Sequence, residues 1–573
     1  MNTNNKPILY RNSEVETLHG LFCERVRRSP DAIAYRYFDV EQEKWHEVAW
    51  KTMQTRVDVC SRLLKSLHVA ERDRAAILME NSPAWVVADQ AILSLNMITV
   101  PLFYNDRPEN MAYVLADAGA RVLFVNHEEH WQKLQPVLEG RALEAVILVD
   151  SLEVLWQKDG EHQDLGHQDI PASLATIIYT SGTTGHPKGV MLSHQNILEN
   201  ASAAYEVSHI YPSDTFLSFL PLSHAFERTV GYYLPMITGA TVAYARSILT
   251  LQEDLVSIKP TAIVTVPRMF EKINGRLNEK LAQASSFKQG LVKLAEKVGY
   301  RHFQIQQKQK CWHVNQLLYP LLDAMVGKKL RISLGGRLRV AVSGGAPFST
   351  ALGQRFLGFG VPIIQGYGLT EYSPVVSSNS LTRNNPASVG EMLQHTEVSI
   401  DEATGELLVR GHGVMLGYWQ QVDATKAAID EDGWLHSGDI AKVVDGQIYI
   451  TGRIKDILVL SNGEKVPPTD IEDTILQDSR VDQVMVVGEG KAFLLALIVP
   501  SEQGKQADIR AFVQKFAKDL HAFPGYEKIK DVIVCDEPWT IEGGLLTPTM
   551  KLRRAHVLKQ YQTEIDEAYA RLE

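Results

Sequence analysis

Short apolar runs recur along the first half of the chain, separated by longer stretches in which apolar positions return every three or four residues. Ala75-Ala76-Ile77-Leu78, residues 122–125 and 145–149, Ala175-Thr176-Ile177-Ile178 and residues 261–266 lack polar alternation. That is the mark of strands covered on both faces. Residues 51–68 carry the helical spacing instead. The alternation predicts an α/β fold, with a large N-terminal domain of parallel-rich sheets flanked by helices. Near residue 434 the pattern changes. Ala441-Lys442-Val443-Val444 and Gln447-Ile448-Tyr449-Ile450 flank Asp445-Gly446, a hairpin signal. Pro467-Pro468 then breaks the chain before an expected helix at 469–477 and strands at 484–487 and 493–499. These predict a smaller α+β unit joined near Gly452–Asp456, with domains at 1–452 and 453–573.

A chain of 573 residues exceeds what one core organises, in keeping with two domains. Its net charge of −10 argues against a nucleic-acid partner, which needs a basic footprint. Cys23, Cys60, Cys311 and Cys535 lie far apart without metal-ligand spacing, which fits a reducing compartment. The opening MNTNNKPILYRNSEVE has no secretory h-region, and no window reaches the ~20 apolar residues of a membrane span. The expected location is the cytoplasm, with any membrane contact peripheral. Residues 286–337 stand out, with ten Lys/Arg against Glu296 and Asp323 and with leucines between them at helical spacing. This is either a helical pair with a solvated basic face or a surface drawn to anionic lipid or a phosphate-rich ligand.

The chemistry concentrates in YTSGTTGHPKG, residues 179–189. Hydroxyls at Thr180, Ser181, Thr183 and Thr184, glycines at 182, 185 and 189, and the Lys188 ammonium are suited to surround a polyphosphate. A Walker loop would need Gly-Lys-Ser/Thr, whereas Gly185 is followed by His-Pro-Lys. The dinucleotide G-x-G-x-x-G pattern is also absent from this loop.

The stretch resembles the phosphate loop of the adenylate-forming enzymes, which include acyl-CoA synthetases, luciferases and peptide-synthetase adenylation domains. QGYGLTE (365–371), HSGDI (436–440), GRIKDILVLSNGEKV (452–466) and TPTMKLRR (547–554) follow in that family's order. The resemblance implies ATP, Mg²⁺ and coenzyme A as co-substrates or cofactors, and a mobile C-terminal domain. It makes Lys551 the cation bridging substrate carboxylate and α-phosphate, with Thr370 on the α-phosphate. It places Mg²⁺ on Glu371 and Thr180, oxygen ligands suited to a hard cation. The nucleotide site it implies comprises Thr180, Ser181, Gly182, Thr183, Thr184, Gly185, Lys188, Gln365, Gly366, Tyr367 and Gly368. To these it adds Gly344, Gly345 and Ala346, with Asp439 on the ribose and Arg453 beside it.

PLSHAFERT (221–229), VPRMFEKI (266–273), VSGGAPFS (342–349) and LTPTMKLRR resemble the long-chain fatty acid–CoA ligases in particular. That resemblance puts His224 at the carboxylate entrance. Where acetate-activating relatives carry tryptophan, Gly368 is expected to leave room for an alkyl tail, each buried CH₂ contributing about 0.8 kcal/mol. Lys455 is the implied pivot of a domain rotation, with Ser461 and Gly463 near the thiol path. The implied function is ATP-dependent formation of a fatty acyl-adenylate and transfer to CoA. Two alternatives stay open: a fatty acyl-AMP ligase loading a carrier protein, and a catalytically inactive lipid-binding protein.

Overall fold

The computed structural model describes residues 6–12, 15–138, 143–158, 170–180, 187–476, 478, 480–502, 504–506, 529–547 and 551–572. Five parallel strands, Leu174–Thr180, Ile98–Pro101, Arg74–Leu78, Ala120–Val125 and Ala145–Leu148, form the middle of one sheet. Antiparallel strands Glu153–Gln157 on one side and Lys188–Ser193 with Gly417–Tyr418 on the other complete it. Four of the five parallel strands, all but Ile98–Pro101, are apolar runs of the sequence; Arg74–Leu78 and Ala120–Val125 are buried throughout.

A second sheet has the antiparallel edge strand Lys44–Ala49 and then parallel strands Ile33–Asp39, Thr241–Tyr244, Thr215–Ser218, Ala262–Thr265, Val340–Ser343 and Ile363–Gly368. Beyond Gly368 every further pairing along the sheet is antiparallel, from Val375–Ser378 to Thr396–Ile400. The parallel-rich reading therefore holds up to Gly368, and an antiparallel extension follows it. Its hairpin Leu435–Val444 and Gln447–Arg453 turns at Asp445 (φ 51°) and Gly446 (φ 78°), the left-handed pair that a two-residue turn requires.

Helices Pro83–Ser94 and His194–Ser208 lie in the core between the sheets. Ser193 caps the second of them and exchanges hydrogen bonds with Asn196. After Arg453 a single turn, Ile454–Asp456, leads to a small unit with its own core. There Val481–Val487, Leu494–Pro500 and Ile529–Val534 form a sheet, and Pro468–Ile475 supplies the expected helix. Arg268 ties this unit to the large part through Asp482 at 2.8 Å.

Candidate active site

Four chain segments meet where parallel strands end. Thr180 closes one strand, Gly344-Gly345 follows Val340–Ser343, Gly368 closes Ile363–Gly368, and the loop after Thr215–Ser218 carries His224. The carboxyl edge of parallel strands is where open α/β sheets bind ligands, since loops there diverge and leave a crevice. Asn81 shapes the His224 loop from the other sheet. Its amide donates to the Leu220 carbonyl (2.6 Å) and Ser218 Oγ (3.0 Å) and accepts from the Leu222 N–H (2.9 Å).

Two cavities converge here. One is walled by apolar Ala204, Val207, Val230, Val342 and Ile364 and by Tyr367. The other lies between Arg107, Asn110 and Tyr179 on one side and Ile541, Leu546 and Arg553 on the other. His224, Thr370 and Lys551 line both. Protein surrounds Lys551 closely, yet its side chain keeps accessible surface because that surface faces the cavities. Burial, and then the nearby Arg453, lower the ammonium's pKa, while Asp439 and Glu371 oppose the shift. His224 is held down to about 4 by burial and by Lys551, so it is neutral at pH 7. Its Nδ1 accepts from the Phe226 N–H at 3.2 Å, which makes Nε2 the protonated nitrogen.

The match to sequence families follows this geometry. Residues 22–419 match the AMP-binding enzyme family and residues 455–573 the AMP-binding enzyme C-terminal domain. The chain belongs to the AMP-binding enzyme family. It is 30% identical to the long-chain-fatty-acid–CoA ligase FadD15 of Mycobacterium tuberculosis, covering 98% of each chain. It is 27% identical to the chloroplastic long-chain-fatty-acid acyl-carrier-protein ligase AEE15 of Arabidopsis thaliana, covering 98% of this chain and 88% of the other. Among solved structures, the adenylation domain of a carboxylate reductase from Mycobacterium chelonae matches with a TM-score of 0.76 at 20% identity. That alignment covers 98% of this chain and 92% of the other and establishes the shared fold.

Within this AMP-binding enzyme, most of the expected residues that are described come together. Asp439 accepts from Tyr367 Oη and Arg453 Nε, each at 2.6 Å, and a carboxylate has lone pairs left for ribose hydroxyls. Thr180 faces Lys188 across the antiparallel pair that brackets the phosphate loop. Ser181, Gly182, Thr183, Thr184 and Gly185 lie outside the described residues.

Others are placed differently. The Gln365 amide donates to the Pro386 carbonyl at 2.9 Å, so it braces a loop. Ala346 is exposed and lies outside both cavity linings. Lys455, Ser461 and Gly463 are exposed and line neither cavity. Gly368 does line the apolar cavity, but a Cβ there would lie 2.0 Å from the Pro374 backbone oxygen. Close backbone approach therefore also demands glycine here, beside its place in the cavity wall.

Two residues went unseen in the sequence. Tyr418 donates to Glu371 Oε1 at 2.9 Å, and its ring carries the Lys188 ammonium 4.8 Å from the centroid. It therefore links the phosphate-loop cation to the carboxylate expected to hold a metal ion. Among the described residues no cluster of three His, Cys, Asp or Glu forms a metal cage. One carboxylate and the Thr180 hydroxyl, on elements joined through Lys188 and Tyr418, fit a Mg²⁺ ion whose other ligands are phosphates and water.

Glu227 is the other. It opens the π-helical stretch Glu227–Tyr233, is fully buried, accepts from Ser218 Oγ at 2.6 Å and leaves Oε2 without a partner among the described residues. Burial pushes this carboxyl up to about 8, against the Ser218 hydrogen bond. Through Ser218 it shares the Asn81 network that shapes the His224 loop. A raised folded pKa means stability that is full below about 4.5 and lost as pH rises towards 8. Glu227→Gln removes that titration. Urea denaturation from pH 5 to 9 should show the balance shifting in the variant's favour, by on the order of 4 kcal/mol.

Proposed function

We propose that this AMP-binding enzyme is a long-chain fatty acid–CoA ligase. The observation that carries the reading is the convergence of an apolar cavity and a second cavity on His224, Thr370 and Lys551. The first suits an alkyl tail, with about 0.8 kcal/mol for each CH₂ withdrawn from water. The second offers a separate approach for an acceptor.

In the first step a carboxylate oxygen of the acid attacks the α-phosphorus of ATP, and the bond to pyrophosphate breaks. Two anions must approach each other, and the Lys551 ammonium offsets their repulsion while Thr370 positions the phosphate. Asp439 holds the ribose, and Tyr367 flanks the base. Mg²⁺ on Glu371 and Thr180 would neutralise charge on the leaving group. In the second step the thiol gives its proton to water, sulfur adds to the acyl carbon, and the acyl C–O bond breaks with its electron pair leaving on the phosphate of AMP. The neutral His224 presents Nε2–H, a donor to the acyl oxygen. The cytoplasm is the proposed compartment, on the strength of the four widely spaced cysteines.

Arg107 tests the acceptor path. It lines the second cavity, no ion pair engages it among the described residues, and its guanidinium lies against Gly544 of the C-terminal unit. When that unit rotates away, the cation becomes available to the phosphates of CoA. Arg107→Ala is expected to raise the KM for CoA about tenfold, the scale of one charged hydrogen bond. Pyrophosphate exchange should stay within about twofold, since exchange precedes thiol entry.

A carrier-protein acceptor is the second reading, favoured by the likeness to AEE15. Purified protein with Mg²⁺, ATP and palmitate should release AMP when CoA is added, without any carrier. Release only upon addition of acyl carrier protein would select the second reading. Failure of every acid tested to move labelled pyrophosphate into ATP would reject both.

A further inference from the structure

Between strands Ala262–Thr265 and Val340–Ser343 the chain makes a helical excursion. Helix Ser286–Gln306 is followed by an unbroken succession of turns, Val314–Leu318, Tyr319–Leu322, Asp323–Gly327 and Lys328–Ser333. It is fixed to the body of the protein. Gly299 packs so closely on helix Thr350–Gly358 that a Cβ would lie 1.8 Å from the Gly358 oxygen. Gln307 and Gln309 donate to the carbonyls of Leu381 and Asn384.

The succession of turns is apolar on two faces. Tyr319, Leu322 and Val326 pack inward against Leu291, Ala295 and Val298. Val314, Leu317, Leu318, Leu321, Met325 and Ile332 repeat at helical spacing on the outer side and are all exposed, Leu317 by 70% and Leu321 by 61%. Trp312, 62% exposed, stands at the start of this stripe. Of the 24 large apolar side chains exposed among the described residues, nine fall within residues 287–332. That density distinguishes a surface from the scattered apolar residues every protein exposes.

Charge selects the occupant. Lys288, Lys293, Lys297, Lys308, Lys310, Lys328 and Lys329 are exposed within the excursion. From residue 286 to 337 the only acids are Glu296, 3.4 Å from Arg355, and Asp323, 2.7 Å from Arg331; Glu271 and Glu279 lie on the preceding helix. The chain as a whole carries −10, so this face is polarised against the rest of the molecule. A second copy docking face to face would bring like charges together. An anionic bilayer presents the complement: phosphates for the lysines and an acyl boundary for the stripe, with Trp312 at the level between them. Among the described residues no helix is long and apolar enough to cross a membrane, so contact along the surface is the geometry available.

We propose that the face bearing Trp312, Leu317, Leu321 and Met325, with Lys310, Lys328 and Lys329 beside it, docks on an anionic lipid surface.

The test is co-sedimentation of the full chain with vesicles of phosphatidylcholine alone and of an equal mixture with phosphatidylglycerol. The mixed vesicles should bind the protein, and salt should weaken that binding. Leu317→Asn/Leu321→Asn should lower partitioning by at least about tenfold through lost insertion. Lys328→Gln/Lys329→Gln should lower it about tenfold through lost attraction to the headgroups. Tryptophan emission should move to the blue on binding, and Trp312→Phe should abolish the shift. All these positions face solvent, so circular dichroism and pyrophosphate exchange with a water-soluble acid should match the unaltered protein. Absence of binding to the mixed vesicles, equal binding by both double variants, or a shift surviving Trp312→Phe would overturn the proposal. A dimer in solution that Leu317→Asn/Leu321→Asn dissociates would also overturn it, by giving the stripe to a second copy. None of the binding readouts depends on the catalytic assignment, so the two can fail separately.

Discussion

Lys551→Ala is expected to lower pyrophosphate exchange about 10²- to 10³-fold, the usual consequence of removing one group aimed at transition-state charge. ATP binding, followed by calorimetry, should change only a few-fold, because Asp439, Thr370 and the phosphate loop remain. The structure gives the reason for so one-sided an effect. Among the described residues no ion pair engages Lys551, and burial disfavours its charge, so the ammonium gains most when an anion enters the cavities. Lys551→Arg should recover part of the rate, since the charge returns on a larger, differently shaped head. Full activity in the alanine variant would remove Lys551 from the mechanism.

The largest effect on stability is expected from Arg228. Its guanidinium is completely buried, contacts Asp89, and donates to Thr176 Oγ1 at 2.7 Å, while Tyr233 Oη donates to Asp89 at 2.8 Å. Arg228→Met strands the Asp89 carboxylate in the interior and should cost about 3–5 kcal/mol in urea denaturation. Adding Asp89→Asn should restore a substantial part of that loss, because the stranded charge goes with it. The Arg228 backbone N–H, which methionine retains, donates to the His224 carbonyl at 3.0 Å, so a local shift at position 228 is expected to reach the His224 loop.

Several of the parallel strands were legible because strands covered on both faces leave apolar runs without alternation, as at residues 75–78 and 122–125. The Asp445-Gly446 hairpin was legible because few residues accept two successive left-handed conformations. The rest of the antiparallel extension was not: Glu391–Met392, for one, is too short to show a period. Tyr418 was hidden for a tertiary reason, since it meets Glu371 from 47 residues away. Glu227 lay in plain view within PLSHAFERT, but only burial and the Ser218 contact distinguish it from a surface glutamate. At Gly368 the place in the cavity wall was legible, but the close approach of the Pro374 backbone was not, because the contact is tertiary.

That last point bears on how such an enzyme changes over generations. Besides Gly368, the apolar cavity proposed for the tail is walled by Ala204 and Val207 on one helix, Val230 on the π-helical stretch and Ile364 deeper in a strand. None of these holds the nucleotide in the chemistry proposed. Taste for one acid over another is thus free to wander by small steps in those walls, while the machinery that handles phosphate stays untouched.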